Sequence, residues 1–369
     1  MLLYNKLKKQ LKYLFLFITD LFFILLIKQK KQNVSVIKNK VLCVVYDRIG
    51  DNIVRSEILK RIVQVYQHVD LYFLVNNDVG LIEYLKILQL SKKEFILFKR
   101  IRFILNPFYR SSVINAINNM KFAQTIVFGT GDWTGKKYFT HYIATDKMYY
   151  YTMSNLLEYV LDAEAKLYEM VTQKKPDIEL LIPNLRPVIK YIKGFTISLP
   201  EQFIVIGIGA SSIARKYPVE KMVQVIAHLN CANKTLVFLG KGKADQKYFD
   251  ALMKQFKFPN KQIISLINKL SFPQSLQVLS RATLFVGVES ALFNAAVFLH
   301  IPNIVIYGGG NYGLFMHSTA TTLYVSNKMS CFGCGWKECK HGILNYASAK
   351  CISSIHPTNI IDAINQKIQ

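Results

Sequence analysis

From residue 40 onward, short runs of β-branched and aromatic residues alternate with stretches of helical periodicity, and this alternation constrains the fold more than any other feature of the chain. VLCVVY (41–46), DLYFLVN (70–76), EFILF (94–98) and QTIVFG (124–129) read as strands, with helices expected over 52–66, 80–90 and 107–119. After the tyrosine run at 149–151 and a helix-like stretch to about Leu161, the segment 174–187 carries Pro176, Pro183 and Pro187 and no strong period, as a connection between domains would. The pattern then restarts with FIVIGIGA (203–210), TLVFLG (235–240), QIISL (262–266), LFVGVE (284–289) and NIVIYGG (303–309), and with helices expected over 218–229, 245–256, 273–281 and 290–299. Apolar strands spaced by helices must be covered on both faces, so the chain is read as two parallel α/β sheets in tandem, with ligands expected in a cleft at the carboxyl ends of the strands. The expected parts are an N-terminal segment 1–39, a first Rossmann-like domain 40–185 and a second 186–369.

The N-terminal segment is of a different kind. Lys6, Lys8, Lys9 and Lys12 precede an apolar run from Tyr13 to Ile27, and Lys28, Lys30 and Lys31 follow it. As a helix the run reaches roughly 22 Å, short of the roughly 30 Å hydrocarbon core, and Asp20 interrupts it. No small-residue cleavage site follows, which argues against a secretory leader. The expectation is a hydrophobic basic helix lying on an anionic membrane surface, with a helix packed on the protein itself as the alternative. Lys and Arg number 47 against 23 Asp and Glu, a formal charge of +24, so an anionic partner is expected. Without a zinc-finger, RRM-like or helix-turn-helix signature the charge points to a membrane or phosphorylated glycolipid, not to nucleic acid.

Four strand ends carry the chemistry. Asp47-Arg48-Ile49-Gly50-Asp51-Asn52 follows the first strand, where Asp51 is either a helix N-cap or a base toward a hydroxyl. In the second half, Gly207 and Gly209 allow close backbone approach, Ser211 and Ser212 offer hydroxyls, and Arg215 and Lys216 bring charge just before Pro218, a combination suited to a diphosphate. Asp245, after LVFLGKGKA, stands where an acid could hold ribose hydroxyls. Glu289 and Ser290 end a buried strand and open a small-residue helix through Ala291 and Asn294, which reads as a donor pocket or as an ordinary turn with serine as N-cap.

In order, VLCVVYDRIGDNIVRSEILKRI, FIVIGIGASSIARKYPVEKMVQVI, LVFLGKGKADQ, ISLINKLSFPQSLQVLSRATLFVGVESALFNAAVFLHIPNIVIYGGG and the cysteine-bearing tail resemble the successive motifs of glycosyltransferase family 9, the lipopolysaccharide heptosyltransferases. The resemblance implies an α/β chain of GT-B fold, two facing Rossmann-like domains with an interdomain cleft, the first binding acceptor and the second a nucleotide-sugar, typically ADP-heptose. It implies inverting, metal-independent transfer without a cofactor to a lipid-linked anionic glycan acceptor, by a peripheral or monotopic protein at the cytoplasmic face of the inner membrane. Asp51 falls on the family's catalytic aspartate, Ser211 on a phosphate-contacting hydroxyl and Arg215 on the phosphate-binding lysine, with Lys216 beside it. Asp245 lies within one residue of the ribose-binding acid. The family pattern Asp-Ser/Thr-Gly, with His three residues later, is here Glu289-Ser290-Ala291 and Asn294. A nucleotide-sugar epimerase of related shape and a nucleotide-sugar-binding protein without turnover are the competing readings.

Of the cysteines, Cys43 and Cys231 read as core residues. Cys331, Cys334, Cys339 and Cys351, with His341 and His356 nearby, have ligand types that would suit a structural zinc, or remain thiols, and resemble the tail of the second type of heptosyltransferase. Six cysteines in 369 residues are too few for a secreted disulfide scaffold, and a reducing compartment is expected.

Overall fold

Strands built of Val, Ile, Leu and Phe on both faces need cover on both sides, and the computed structural model supplies it twice. It describes residues 2–27, 37–88, 94–129, 136–153, 158–231, 234–256, 262–336 and 348–368. Two compact units result, one made of residues 1–48, 58–153 and 163–177, the other of 49–57, 154–162 and 178–369. The chain passes between them more than once, where the sequence suggested a single crossing near 185.

The first unit holds β1 (Ile37–Val45), β2 (Asp70–Asn76), β3 (Glu94–Phe98), β4 (Phe122–Val127) and β5 (Lys147–Tyr150). All pair in parallel in the order β3-β2-β1-β4-β5. The second holds β6 (Ile204–Gly207), β7 (Leu236–Leu239), β8 (Ile263–Ser265), β9 (Leu284–Val288), β10 (Asn303–Ile306) and β11 (Thr322–Val325), also parallel, in the order β11-β10-β9-β6-β7-β8. In each sheet the order reverses beside the first strand, at β1/β4 and at β6/β9, and such switch points open a crevice at the strands' carboxyl ends.

The helices in chain order are α1 (Leu2–Leu26), α2 (Ile49–Val54), α3 (Ser56–Val65), α4 (Val79–Ile87), α5 (Arg100–Leu105), α6 (Pro107–Asn119), α7 (Lys136–Tyr142), α8 (Val160–Thr172), α9 (Val219–Cys231), α10 (Lys243–Gln255), α11 (Phe272–Leu279), α12 (Ala291–Phe298), α13 (Lys350–Ser353) and α14 (Pro357–Ile368). The single helix expected over 52–66 is two, divided at the buried Arg55, whose Nη1 donates to Asn52 Oδ1 at 3.4 Å. The helix expected to end near Leu161 instead begins there, as α8. Two 3₁₀ turns, Glu179–Leu181 and Arg186–Tyr191, fill the proline-bearing connection.

Helix α1 packs on the first unit. Phe23 and Ile27 enter its core with Leu42, Val44, Phe103 and Tyr138, each worth about 1.5–3 kcal/mol if fully removed from water. Asp20, read as an interruption of the apolar run, is the pin. Its Oδ1 accepts from Arg110 Nη1 at 3.0 Å and from the Tyr138 hydroxyl, and its Oδ2 from Lys137 Nζ at 2.6 Å. Arg110 is fully buried, with Nε donating to Phe103 O at 2.9 Å and its guanidinium 3.9 Å from the Tyr138 ring centroid. Burial pushes the Asp20 pKa up, but the hydrogen bonds from Lys137 and Tyr138 and the charges of Lys137 and Arg110 outweigh it and hold the carboxyl below its usual range. Leu14, Phe17, Leu21 and Phe22 of α1 are exposed. No helix of the described residues is long and apolar enough to cross a membrane. The side chains of Lys6, Lys8, Lys9 and Lys12, and the whole of Lys28, Lys30 and Lys31, lie outside the described residues.

Candidate active site

Of the polar residues singled out in the sequence, Ser211, Arg215 and Glu289 gather at the β6/β9 switch point of the second unit. Adjacent parallel strands deliver two loops side by side there: Ile208–Lys216 after β6 and Glu289–Ser290 after β9. Arg215 joins them. Its Nη1 donates to Glu289 Oε1 at 3.2 Å and its Nη2 to the Ser211 hydroxyl. Glu289 also accepts from Asn311 Nδ2, at 2.9 and 2.8 Å on its two oxygens. A guanidinium has five N–H donors, so Arg215 keeps capacity for the oxygens of an incoming diphosphate. Its side chain is 16% exposed, open enough to be reached, while that of Glu289 is 7% exposed.

Sequence reasoning missed Asn311. The signal was the glycine run before it, Gly308-Gly309-Gly310. A Cβ on Gly309 would lie 2.2 Å from the Phe332 ring and one on Gly310 2.0 Å from Trp336, so only glycine lets these aromatics cover the turn that presents Asn311. Cys351 is buried there and its Sγ accepts from Gly309 N at 3.4 Å. In the described part, then, the cysteine-bearing tail packs on the site's far wall. Cys339 and His341 lie outside the described residues, as does the Cys231 side chain, and among the described residues no group of three or more His, Cys, Asp or Glu side chains gathers as metal ligands would. Cys43 is buried in β1, as expected.

Arg215 and Lys216 do not act as a pair. Lys216 Nζ binds Asp245 Oδ1 at 2.7 Å and Ala244 O at 3.1 Å, while Asp245 Oδ2 accepts from Lys241 N at 2.9 Å. Gly209 makes room for this carboxylate, since a Cβ there would stand 2.7 Å from Asp245 Oδ2. Asp245 thus ties the β6 and β7 loops together at the place where a ribose acid was expected. Ser212 and Ser290 are N-caps: Ser212 Oγ accepts from Ala214 N and Ser290 Oγ from Phe293 N, each at 3.3 Å. For Ser290 the ordinary-turn reading therefore holds alongside its place next to Glu289.

Asp51 belongs to the same unit. It sits in the first turn of α2 rather than at an N-cap, and α2 packs on α12, where a Cβ on Gly50 would meet Ala291 at 3.5 Å. Gly50 lies within the helix. Asn294 is buried and its amide is engaged at both ends, Nδ2 donating to Gly50 O at 3.1 Å and Oδ1 facing His317 Nε2 at 3.2 Å.

A family model described as glycosyltransferase family 9 (heptosyltransferase) matches residues 154–344, more than half of the chain. The protein belongs to glycosyltransferase family 9. Solved structures share its fold, which is of the GT-B type. A family 9 glycosyl transferase from Veillonella parvula DSM 2008 aligns with a TM-score of 0.62 at 15% identity, over 91% of this chain and 99% of that one. The E. coli ADP-heptose LPS heptosyltransferase II aligns at 0.63 and 13%, covering 89% and 98%. The E. coli heptosyltransferase WaaC with ADP-2-deoxy-2-fluoro heptose aligns at 0.61 and 12%, covering 89% and 99%. No curated protein sequence matches the chain. This family 9 member thus carries its candidate donor-side polar cluster at a sheet switch point, with α2 and Asp51 in the same compact unit.

Proposed function

We propose that the protein is an inverting glycosyltransferase that moves heptose from ADP-heptose to a lipid-linked anionic glycan, such as a lipopolysaccharide core, at the cytoplasmic face of the inner membrane. The observation that carries this reading is the Ser211–Arg215–Glu289–Asn311 cluster at the β6/β9 switch point of a family 9 chain. Arg215 and nearby backbone N–H groups receive the diphosphate, and Glu289 accepts from sugar hydroxyls. Asp51 takes the proton of an acceptor hydroxyl as its oxygen attacks the anomeric carbon. The new C–O bond forms as the bond to the β-phosphate breaks, and ADP leaves with the electron pair on the opposite face. Because protein groups supply the positive charge, the reaction proceeds without metal or cofactor.

The acceptor is brought to the enzyme by the membrane. The exposed apolar face of α1 lies in the interface plane, and the excess of Lys and Arg holds the protein to anionic headgroups.

The test is release of ADP from ADP-heptose with and without lipid-linked core acceptor, in the presence of a chelator. Acceptor-dependent release that survives chelation is expected, with Asp51→Asn lowering turnover by about 100-fold while ADP binding is retained. Binding of ADP-heptose with no release would support the non-catalytic reading, and conversion of the donor sugar without acceptor would support the epimerase.

A further inference from the structure

We infer that Tyr159, His317 and Asn294 form a one-way hydrogen-bonded chain that positions the Gly50–Asp51 segment. Asn294 and His317 are then positioning residues for Asp51. The role of Asp51 rests on the proposed function, whereas the chain itself rests on geometry within one compact unit. The Tyr159 hydroxyl lies 2.8 Å from His317 Nδ1, His317 Nε2 lies 3.2 Å from Asn294 Oδ1, and Asn294 Nδ2 donates to Gly50 O at 3.1 Å.

Each proton in this chain is fixed by its neighbours. Gly50 O can only accept, so the amide nitrogen of Asn294 must face it and Oδ1 must face His317. Oδ1 can only accept, so His317 carries its proton on Nε2. Burial keeps the ring neutral, which leaves Nδ1 as acceptor and the Tyr159 hydroxyl as donor to it. All donors therefore point the same way, toward the backbone one residue before Asp51.

The surroundings make the chain stiff. His317 is 1% exposed, with Phe298, Tyr159 and Phe293 ring centroids 4.9, 5.8 and 5.9 Å away. The chain next to Tyr159 is held as well, since the neighbouring Val160 N donates to Leu314 O at 3.1 Å. On the other side, Ala291 meets Gly50 across the α2–α12 contact. Helix α2 has only six residues and little stability of its own, so its position is set by what it packs on. A buried amide that serves a backbone carbonyl beside a candidate base is placed to hold that base within the narrow tolerance that proton transfer demands.

The experiment compares Asn294→Ala, His317→Phe and His317→Gln with the wild type. Glutamine keeps an acceptor toward Tyr159 and a donor toward Asn294, and is the rescue variant. Amide hydrogen exchange over 50–57, in variants whose melting confirms folding, should quicken about tenfold or more in Asn294→Ala and His317→Phe and return toward wild type in His317→Gln. Turnover of ADP-heptose should fall about tenfold in the first two, with the dissociation constant of ADP unchanged within about twofold. With Asp51→Asn already present, Asn294→Ala should cost less than about twofold more, because both changes act through one group. Unchanged exchange over 50–57, or equal losses from Asn294→Ala in both backgrounds, would overturn the inference. If the wild type does not turn over ADP-heptose, the proposed reaction fails and the exchange comparison alone decides the inference.

Discussion

His317 shows how much a single side chain depends on its surroundings. Burial among aromatics disfavours the imidazolium and lowers its pKa from 6.5 to about 3. The folded state therefore holds it neutral, and its contribution to stability is complete above pH 6.5 and lost as pH falls from there toward about 3. Between those limits the wild type should lose stability relative to His317→Gln by about 1.4 kcal/mol per pH unit, measurable by urea unfolding at pH 6.5, 5.5 and 4.5. A flat difference across that range would show that the imidazole is not buried neutral. Glu289 offers a second test. Because Arg215 and nearby backbone N–H groups hold the phosphates in the proposed reaction, Glu289→Ala should keep ADP affinity within about threefold while its preference for ADP-heptose over ADP falls about tenfold, as calorimetry would show. Equal loss for both ligands would place the carboxylate's role in supporting Arg215.

At the scale of elements, α1 is the instructive case. Its apolar run suggested a membrane-surface helix or a helix packed on the protein, and the structure uses two faces. Phe23 and Ile27 go into the first unit's core, while Leu14, Phe17, Leu21 and Phe22 face outward. Helix α1 is therefore no detachable arm, and its removal would uncover core side chains. Asp20→Ala should destabilise the first unit by about 3 kcal/mol, because Arg110 stays buried without its carboxylate. A combined Leu14→Ser, Phe17→Ser and Leu21→Ser change should leave unfolding nearly unaltered and weaken binding to anionic vesicles at least tenfold. Sedimentation with vesicles separates the two effects. Strands β5 and β11 escaped the sequence pattern because their runs, KMYY and TLYV, are not the continuous β-branched and apolar runs that mark β6, β7 and β10.

For the whole molecule, net charge is the dominant quantity. A formal charge of +24 attracts any anionic surface over about a Debye length, so vesicle binding should weaken steeply between about 50 and 500 mM salt. A residue of binding should persist at high salt if the apolar face of α1 inserts, and should vanish in the Leu14/Phe17/Leu21 serine variant. Binding insensitive to both salt and those substitutions would remove the membrane from the proposed function.

The sequence by itself determined the two parallel α/β sheets, because strand-length apolar runs spaced by helices have few other ways to bury both faces. It also located the loops of the site, since glycines, hydroxyls and charges concentrate where strands end. The tertiary structure decided how those residues are used. Neighbouring positions 215 and 216 bind different acids, Glu289 and Asp245, because the chain between Ser212 and Pro218 turns their side chains apart. Asn311 joins the cluster from the 3₁₀ turn Gly309–Asn311 after β10, and His317 reaches Asn294 from the loop that follows. Such partners are distant in sequence and carry no local period. They become visible only when the sheet order places β9 between β6 and β10.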